Sequence, residues 1–166
     1  ESVPMKRLIL IRHAKSGWDD LEADDHERTL TRRGHTAARA IGAWLTQNNY
    51  VPDVILSSDA TRTLQTAAEI TPSLPPAKLV EIPMLYLPAP DTIWDIAQRR
   101  TEDTVAVISH NPGTGMLAQA LLKTRPKHHR FSDYPTCATT IIDFPHGLGF
   151  GMGHCTDFIV PRDLTD

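Results

Sequence analysis

Short, unbroken apolar runs recur along this chain, separated by stretches with helical periodicity. Leu8-Ile9-Leu10-Ile11, Val54-Ile55-Leu56 and Val105-Ala106-Val107-Ile108 are too short for helices. They lack the polar alternation of a strand with one wet face, so they suit strands covered on both sides. Between them, Thr31 reads as an N-cap and Ala37, Ile41, Trp44 and Leu45 fall on one helical face, ended by Asn48-Asn49. A second helix follows Ser57-Ser58-Asp59, with Leu64, Ala67 and Ala68 as its apolar face, and Pro72, Pro75 and Pro76 stop it. A weaker strand lies near Leu79-Val80-Glu81-Ile82, and a short helix follows with Ile93, Ile96 and Ala97 on one side. Pro112 sits near the start of a last helix that carries Leu117, Ala120 and Leu121. Thr139 to Phe144 and Thr156 to Val160 read as strands joined by a glycine-rich connector, His146 to Gly153, which predicts an antiparallel hairpin at a sheet edge. The fold class expected is α/β: a three-layer sandwich with a mostly parallel central sheet and helices on both faces. No repeat or long linker divides residues 1–166, so one domain is expected.

Composition narrows the function. A net charge of −3 provides no global basic field, so nucleic acid is not an expected partner. No apolar run approaches the roughly 20 residues needed to span a bilayer. Cys137 and Cys155 could form at most one disulfide, and a reducing cytoplasm is the expected location. Lys6 and Arg7 precede too short an apolar stretch for a secretory signal, and Met5 could be the natural start, with Glu1 to Pro4 left out of the fold argument.

In open α/β sheets, ligands bind beyond the carboxyl ends of the strands. Arg12-His13-Ala14-Lys15-Ser16 follows the first strand, Ser57-Ser58-Asp59-Ala60-Thr61-Arg62 the second, and Ser109-His110-Asn111-Pro112-Gly113 the fourth. Two histidines and two arginines at neighbouring strand ends fit phosphoryl transfer through a histidine. A neutral imidazole is nucleophilic near neutral pH. The transferring group spreads negative charge over its oxygens, and arginine forks grip two oxygens at once. A second, protonated histidine and the amides at the Asn111-Pro112 helix start would add donors. The arginines supply the neutralising charge, so no metal or cofactor is expected.

These segments resemble the histidine phosphatase superfamily, with its phosphoglycerate mutase-like fold. Arg12-His13-Ala14 stands for the Arg-His-Gly signature, and Leu30-Thr31-Arg32-Arg33-Gly34 for Leu-Thr-x-x-Gly. Ser57 to Ala67 matches Ser-Ser-x-x-x-Arg-x-x-Gln-Thr-Ala, and His110-Asn111-Pro112-Gly113 is the late histidine motif. The short length and the Arg-His-Ala-Lys-Ser variant are similar to SixA-type phosphohistidine phosphatases. The resemblance implies that His13 is the phosphorylated nucleophile and that Arg12, Arg62 and His110 form the phosphate pocket. Ser16 matches a motif position that approaches the phosphate, and Asn111 joins the expected substrate-binding set.

Asp19 stands where the longer family motif has asparagine, and a carboxylate would repel phosphate, so no binding role is assigned to it. The glutamate that mutases place after the third strand has no counterpart in Pro83 to Pro88. Glu81 and Asp91 are the nearest acids and the candidate proton donors, though each reads first as structural, a strand-edge charge and an N-cap respectively. A phosphorylated imidazole leaves easily once its ring is protonated, so the missing acid agrees with a phosphohistidine substrate. The acidic run Asp19 to Glu27 reads as a solvated loop on the rim, and Lys127-His128-His129-Arg130 as a solvated basic loop rather than a hold for an acidic partner. His128, His129, His146 and His154 match no standard zinc spacing. The expected substrate is a phosphorylated protein or a small phosphorylated molecule. The alternatives are a small-metabolite phosphomonoesterase and a non-catalytic phosphate-binding or regulatory module.

Overall fold

The computed structural model describes residues 3–165; Glu1 and Ser2, part of the stretch set aside above, lie outside the described residues. Its strands are β1 (Arg7–Arg12), β2 (Val54–Ser57), β3 (Lys78–Glu81), β4 (Thr104–Ser109), β5 (Thr139–Asp143) and β6 (His154–Ile159). Its helices are α1 (Arg32–Gln47), α2 (Thr61–Ile70), α3 (Pro90–Gln98) and α4 (Gly113–Leu121). The six strands form one sheet in the order β3-β2-β4-β1-β5-β6. The first four are mutually parallel, and β5 and β6 close one side as the expected antiparallel hairpin.

This order fixes the layers. The chain steps outward from β1 to β2 to β3, then returns to β4 beside β1. Right-handed crossovers therefore put α1 and α2 on one face and α3 and α4 on the other. Within β1, Ile9 and Ile11 join the core under α1 and α2, while Leu8 and Leu10 join the core under α3 and α4. Alternate side chains serve opposite cores, which is why the run is apolar without interruption. Truncating fully buried Leu10 to alanine would cost roughly 2–5 kcal/mol.

Local signals in the sequence shape α1. The Thr31 side chain accepts the Gly34 amide as an N-cap, and Asn49 takes φ 61° just past the helix end. The helix presses on the loop after β1 so closely that a Cβ at Gly34 would lie 2.1 Å from the Lys15 carbonyl oxygen.

The buried faces differ from the expected ones by a residue or more. In α1 Ala38, not Ala37, is buried, and in α4 Ala118 replaces Ala120. In α3 Trp94 takes the place of Ile96, which is half-buried. Asp91 is not an N-cap: Ala89 holds that position and Pro90 opens the helix. The largest correction falls on α2, where Ala68 is exposed and Leu64 half-buried. The inward side of α2 holds Arg62, Thr63, Thr66, Ala67 and Ile70, so its buried face is largely polar. The threonine hydroxyls among them find partners. Thr63 donates to the Ser58 and Ala60 carbonyls, and Thr66 donates to the Arg62 carbonyl while accepting from the Ala14 amide.

No helix among the described residues is long and apolar enough to cross a membrane. Cys137 and Cys155 are both free thiols.

Candidate active site

β1 and β4 pair directly, with Arg12 opposite Ser109. They are also the point where the chain reverses its direction across the sheet, so the crevice at their carboxyl ends is the natural ligand site. His13 and His110 leave these two strands, and their ring centroids stand 5.3 Å apart. Both are buried, at 6% and 1% exposure.

The His13 ring is fixed by its own neighbour. Nδ1 lies 2.7 Å from the Ala14 carbonyl oxygen, a contact that only an Nδ1–H can make. The other nitrogen, Nε2, then carries the lone pair. Burial pushes the His13 pKa down to about 4, and the charges of Arg12, Arg62 and Arg28 push it the same way, against the Ala14 hydrogen bond. His13 is thus a neutral imidazole at physiological pH, with its lone pair on Nε2. Its backbone is clamped on both sides: the His13 amide donates to the Ser109 carbonyl, and its carbonyl accepts from the Cys137 amide.

His110 Nε2 lies 2.8 Å from the Ser58 hydroxyl, which also accepts the Ala60 amide. Burial, then His13 and Arg62, lower the His110 pKa to about 3, opposed by Asp25. The protonated second histidine expected above is therefore neutral in this setting. A bound anion would raise its proton affinity further than Asp25 does.

Arg12 donates from Nη1 to the Tyr134 carbonyl, and Arg62 donates from both terminal nitrogens to Asp25, at its carbonyl (2.6 Å) and carboxylate (3.0 Å). Three buried side-chain atoms among the described residues have no hydrogen-bond partner: Arg12 Nε, Arg62 Nε and His110 Nδ1. All three belong to this one cluster. Buried polar atoms are rarely left unpaired, and each costs about 1–3 kcal/mol unless something satisfies it. An oxyanion among them would do so.

The remaining expected residues separate into supporting and peripheral positions. Ser16 accepts a hydrogen bond from Arg28 Nη1 at 3.0 Å. Asn111 spends its side chain on the fold, donating to the Tyr134 carbonyl and accepting the Gly115 amide. Glu81 is exposed at the end of the edge strand, Asp91 is exposed in the first turn of α3, and Asp19 is exposed in the loop after β1.

Other residues of the site were not singled out from the sequence. Asp25 is no solvated rim charge: its carboxylate accepts from Arg62, Arg28 and Tyr86, and those bonds hold its pKa far below the ordinary carboxylate range. Tyr86, just past β3, stands edge-on to His110 with centroids 5.3 Å apart. Arg28 stacks on Trp18, 3.9 Å from the ring centroid, and adds positive charge near His13. The spacing Asp25-x-x-Arg28 was a readable sign of a local ion pair, hidden among the neighbouring acids. Tyr134 is fully buried, with its hydroxyl donating to the Leu10 carbonyl or sharing a proton with Thr140, and its carbonyl anchors Arg12 and Asn111 together. Nothing in the sequence around Tyr134 marked that role.

Residues 8–85 match the family model described as the histidine phosphatase superfamily (branch 1). An uncharacterised protein of Mycobacterium tuberculosis (strain H37Rv) is 40% identical over 113 residues, which is 67% of this chain and 69% of that one. An uncharacterised chloroplastic protein of Arabidopsis thaliana is 49% identical over 61 residues, 37% of this chain, and the match spans only 28% of that relative's length. Among solved structures, a SixA protein of Agrobacterium tumefaciens superposes with TM-score 0.80 at 24% identity, covering 95% of this chain and 99% of that one. The protein histidine phosphatase SixA complexed with tungstate gives TM-score 0.78 at 22% identity, covering 96% and 99%. A phosphoserine phosphatase mutant of Entamoeba histolytica in complex with phosphoserine gives 0.67 at 18% identity, covering 95% and 98%. These structures share the fold.

Proposed function

The chain belongs to branch 1 of the histidine phosphatase superfamily, and on that footing we propose that it is a phosphatase acting through a covalent phosphohistidine at His13, with phosphohistidine in a protein as its substrate. The observation that carries this reading is the set of unpartnered buried atoms, Arg12 Nε, Arg62 Nε and His110 Nδ1, gathered around a neutral histidine.

In the first step, the His13 Nε2 lone pair attacks phosphorus. The bond from phosphorus to the substrate nitrogen breaks, and the substrate imidazole departs. Because that ring is already protonated on its other nitrogen, it takes no proton from the enzyme. Arg12 and Arg62 neutralise the equatorial oxygens, and His110 donates to them. The phosphorylated His13 keeps its Nδ1 proton on the Ala14 carbonyl, so the intermediate is a phosphoryl-imidazolium. Water then attacks phosphorus, the bonding pair returns to Nε2, and inorganic phosphate leaves with both water protons. Holding Nδ1 protonated thus gives the second step a neutral leaving group.

The same chemistry disfavours alkyl esters. An alkoxide needs a proton in the transition state, and the carboxyl group at the site, Asp25, is held ionised by its hydrogen bonds from Tyr86, Arg62 and Arg28. Comparing kcat/KM on a phosphohistidine protein and on an alkyl phosphate tests this. The phosphohistidine protein is expected to be the better substrate; equal or faster turnover of the alkyl ester would overturn the assignment.

A further inference from the structure

Beside the site, Lys15, Arg33, Arg130 and Arg162 line a groove of about 330 Å³ with Ala37, Pro135 and Pro161 among its floor residues. These cations come from separate parts of the chain: the loop after His13, the start of α1, the loop before β5 and the C-terminal turn. Lys15, Arg33 and Arg162 are exposed and form no ion pair among the described residues. Arg130 is paired with Asp133, and the nearby Asp163 is taken up by His128. The groove is therefore strongly cationic on a protein whose net charge is −3.

Its lining residues adjoin the site residues along the chain. Lys15 follows His13 closely, and Pro135-Thr136 connects Tyr134, which anchors Arg12, to Cys137, which binds the His13 carbonyl. At its other end the groove runs into a second hollow of about 350 Å³, which shares Arg33, Ala37, Pro161 and Arg162 and continues along α1 to Arg32 and Ala40. From Arg33 to Ala40 the helix rises by about 10 Å. The charge of one small metabolite would fill only a part of that length.

We propose that this groove docks an acidic, extended segment of the phosphoprotein substrate that flanks the phosphorylated side chain. The proposal rests on the reading of His13 as a protein phosphohistidine phosphatase. Carboxylates of the segment would meet Lys15, Arg33 and Arg162, and its apolar side chains would lie over Ala37, Pro135 and Pro161. Exposed charges of this kind act through steering and residence more than through the chemical step.

The test uses two phosphohistidine peptides that differ only in a flanking run of glutamates or glutamines, with the wild type and the double variant Arg33→Glu/Arg162→Glu. The wild type is expected to favour the glutamate peptide by about tenfold in kcat/KM, with the difference in KM and erased by high salt. The variant should lose that preference while hydrolysing the glutamine peptide at the wild-type rate. Equal turnover of both peptides by the wild type, or equal losses on both in the variant, would overturn the proposal. Anisotropy of the labelled, unphosphorylated glutamate peptide gives a readout independent of catalysis. Binding to the wild type and not to the variant supports the groove even if neither phosphopeptide is hydrolysed, an outcome that would instead refute the phosphohistidine reading. Equal binding of the glutamine peptide, or self-association of the protein through this face, would count against it.

Discussion

The two ends of the sheet make a useful contrast. At the carboxyl end, His13, His110 and Arg62 are almost wholly enclosed, Arg12 is half-buried, and several of their polar atoms lack partners. At the amino end, the connector between β5 and β6 leaves a hollow of about 410 Å³, larger than either groove beside the site. It is lined by His146, His154, Cys155, Lys123 and Arg125, a set that would look reactive if residue type alone were consulted. Yet His154 is exposed on the edge strand, and Gly147 and Gly151 adopt positive φ because a turn requires it. Room and suggestive side chains occur at both ends. Among the described residues, only one end maintains buried polar atoms that the protein itself does not satisfy, and that distinction, not volume, sets the two ends apart.

The contrast can be pressed hardest by substitution at the enclosed end. His13→Ala should abolish an acid-labile, base-stable label from a phosphoryl donor and lower kcat by roughly 10⁴-fold or more, as removal of a nucleophile does. Arg62→Ala should retain the label and lose about 10²–10³ in kcat, the usual effect of removing one well-aimed donor. A retained label and unchanged turnover in His13→Ala would dissolve the difference between the ends.

A smaller effect concerns pH. His13 and His110 are held neutral in the fold, with pKa values lowered to about 4 and about 3, whereas an unfolded histidine titrates near 6.5. Between those values the unfolded chain binds more protons, so stability falls as pH drops below 6.5 and continues to fall towards pH 4. Each ring should contribute about 3 kcal/mol of that loss by pH 4. Urea unfolding of His13→Gln and His110→Gln across this range should show a flatter decline than the wild type. Parallel curves would mean that the rings titrate normally.

The smallest effect belongs to the open end. Gly147 has φ 104° with open space around it. Gly147→Ala should cost about 1 kcal/mol of stability, through backbone strain alone, and leave kcat unchanged. A loss of activity there would show that the ends are coupled.

Much of this was legible in the chain. Doubly buried strands announce themselves by unbroken apolar runs, and strand ends are where ligands collect, so His13, Arg62 and His110 could be picked out together. The inward side of α2 could not, because periodicity tracks apolar residues and that helix buries threonines and an arginine for the sake of the site. Asp25 was hidden for a related reason. Six acids stand between Asp19 and Glu27, and composition cannot say which one turns inward to meet three donors. Tyr134 acts through its backbone carbonyl, an atom every residue carries.

The pairing of β1 with β4 has an effect on how the protein comes into being. His13 follows β1, but its partner His110 comes only after β2, β3 and their crossovers have been laid down, and β5 must still close over the other edge of β1. Contacts so distant along the chain form late and as a body. A chain stopped before β4 would therefore hold one histidine without the other, and one stopped before β5 would leave an edge of β1 open.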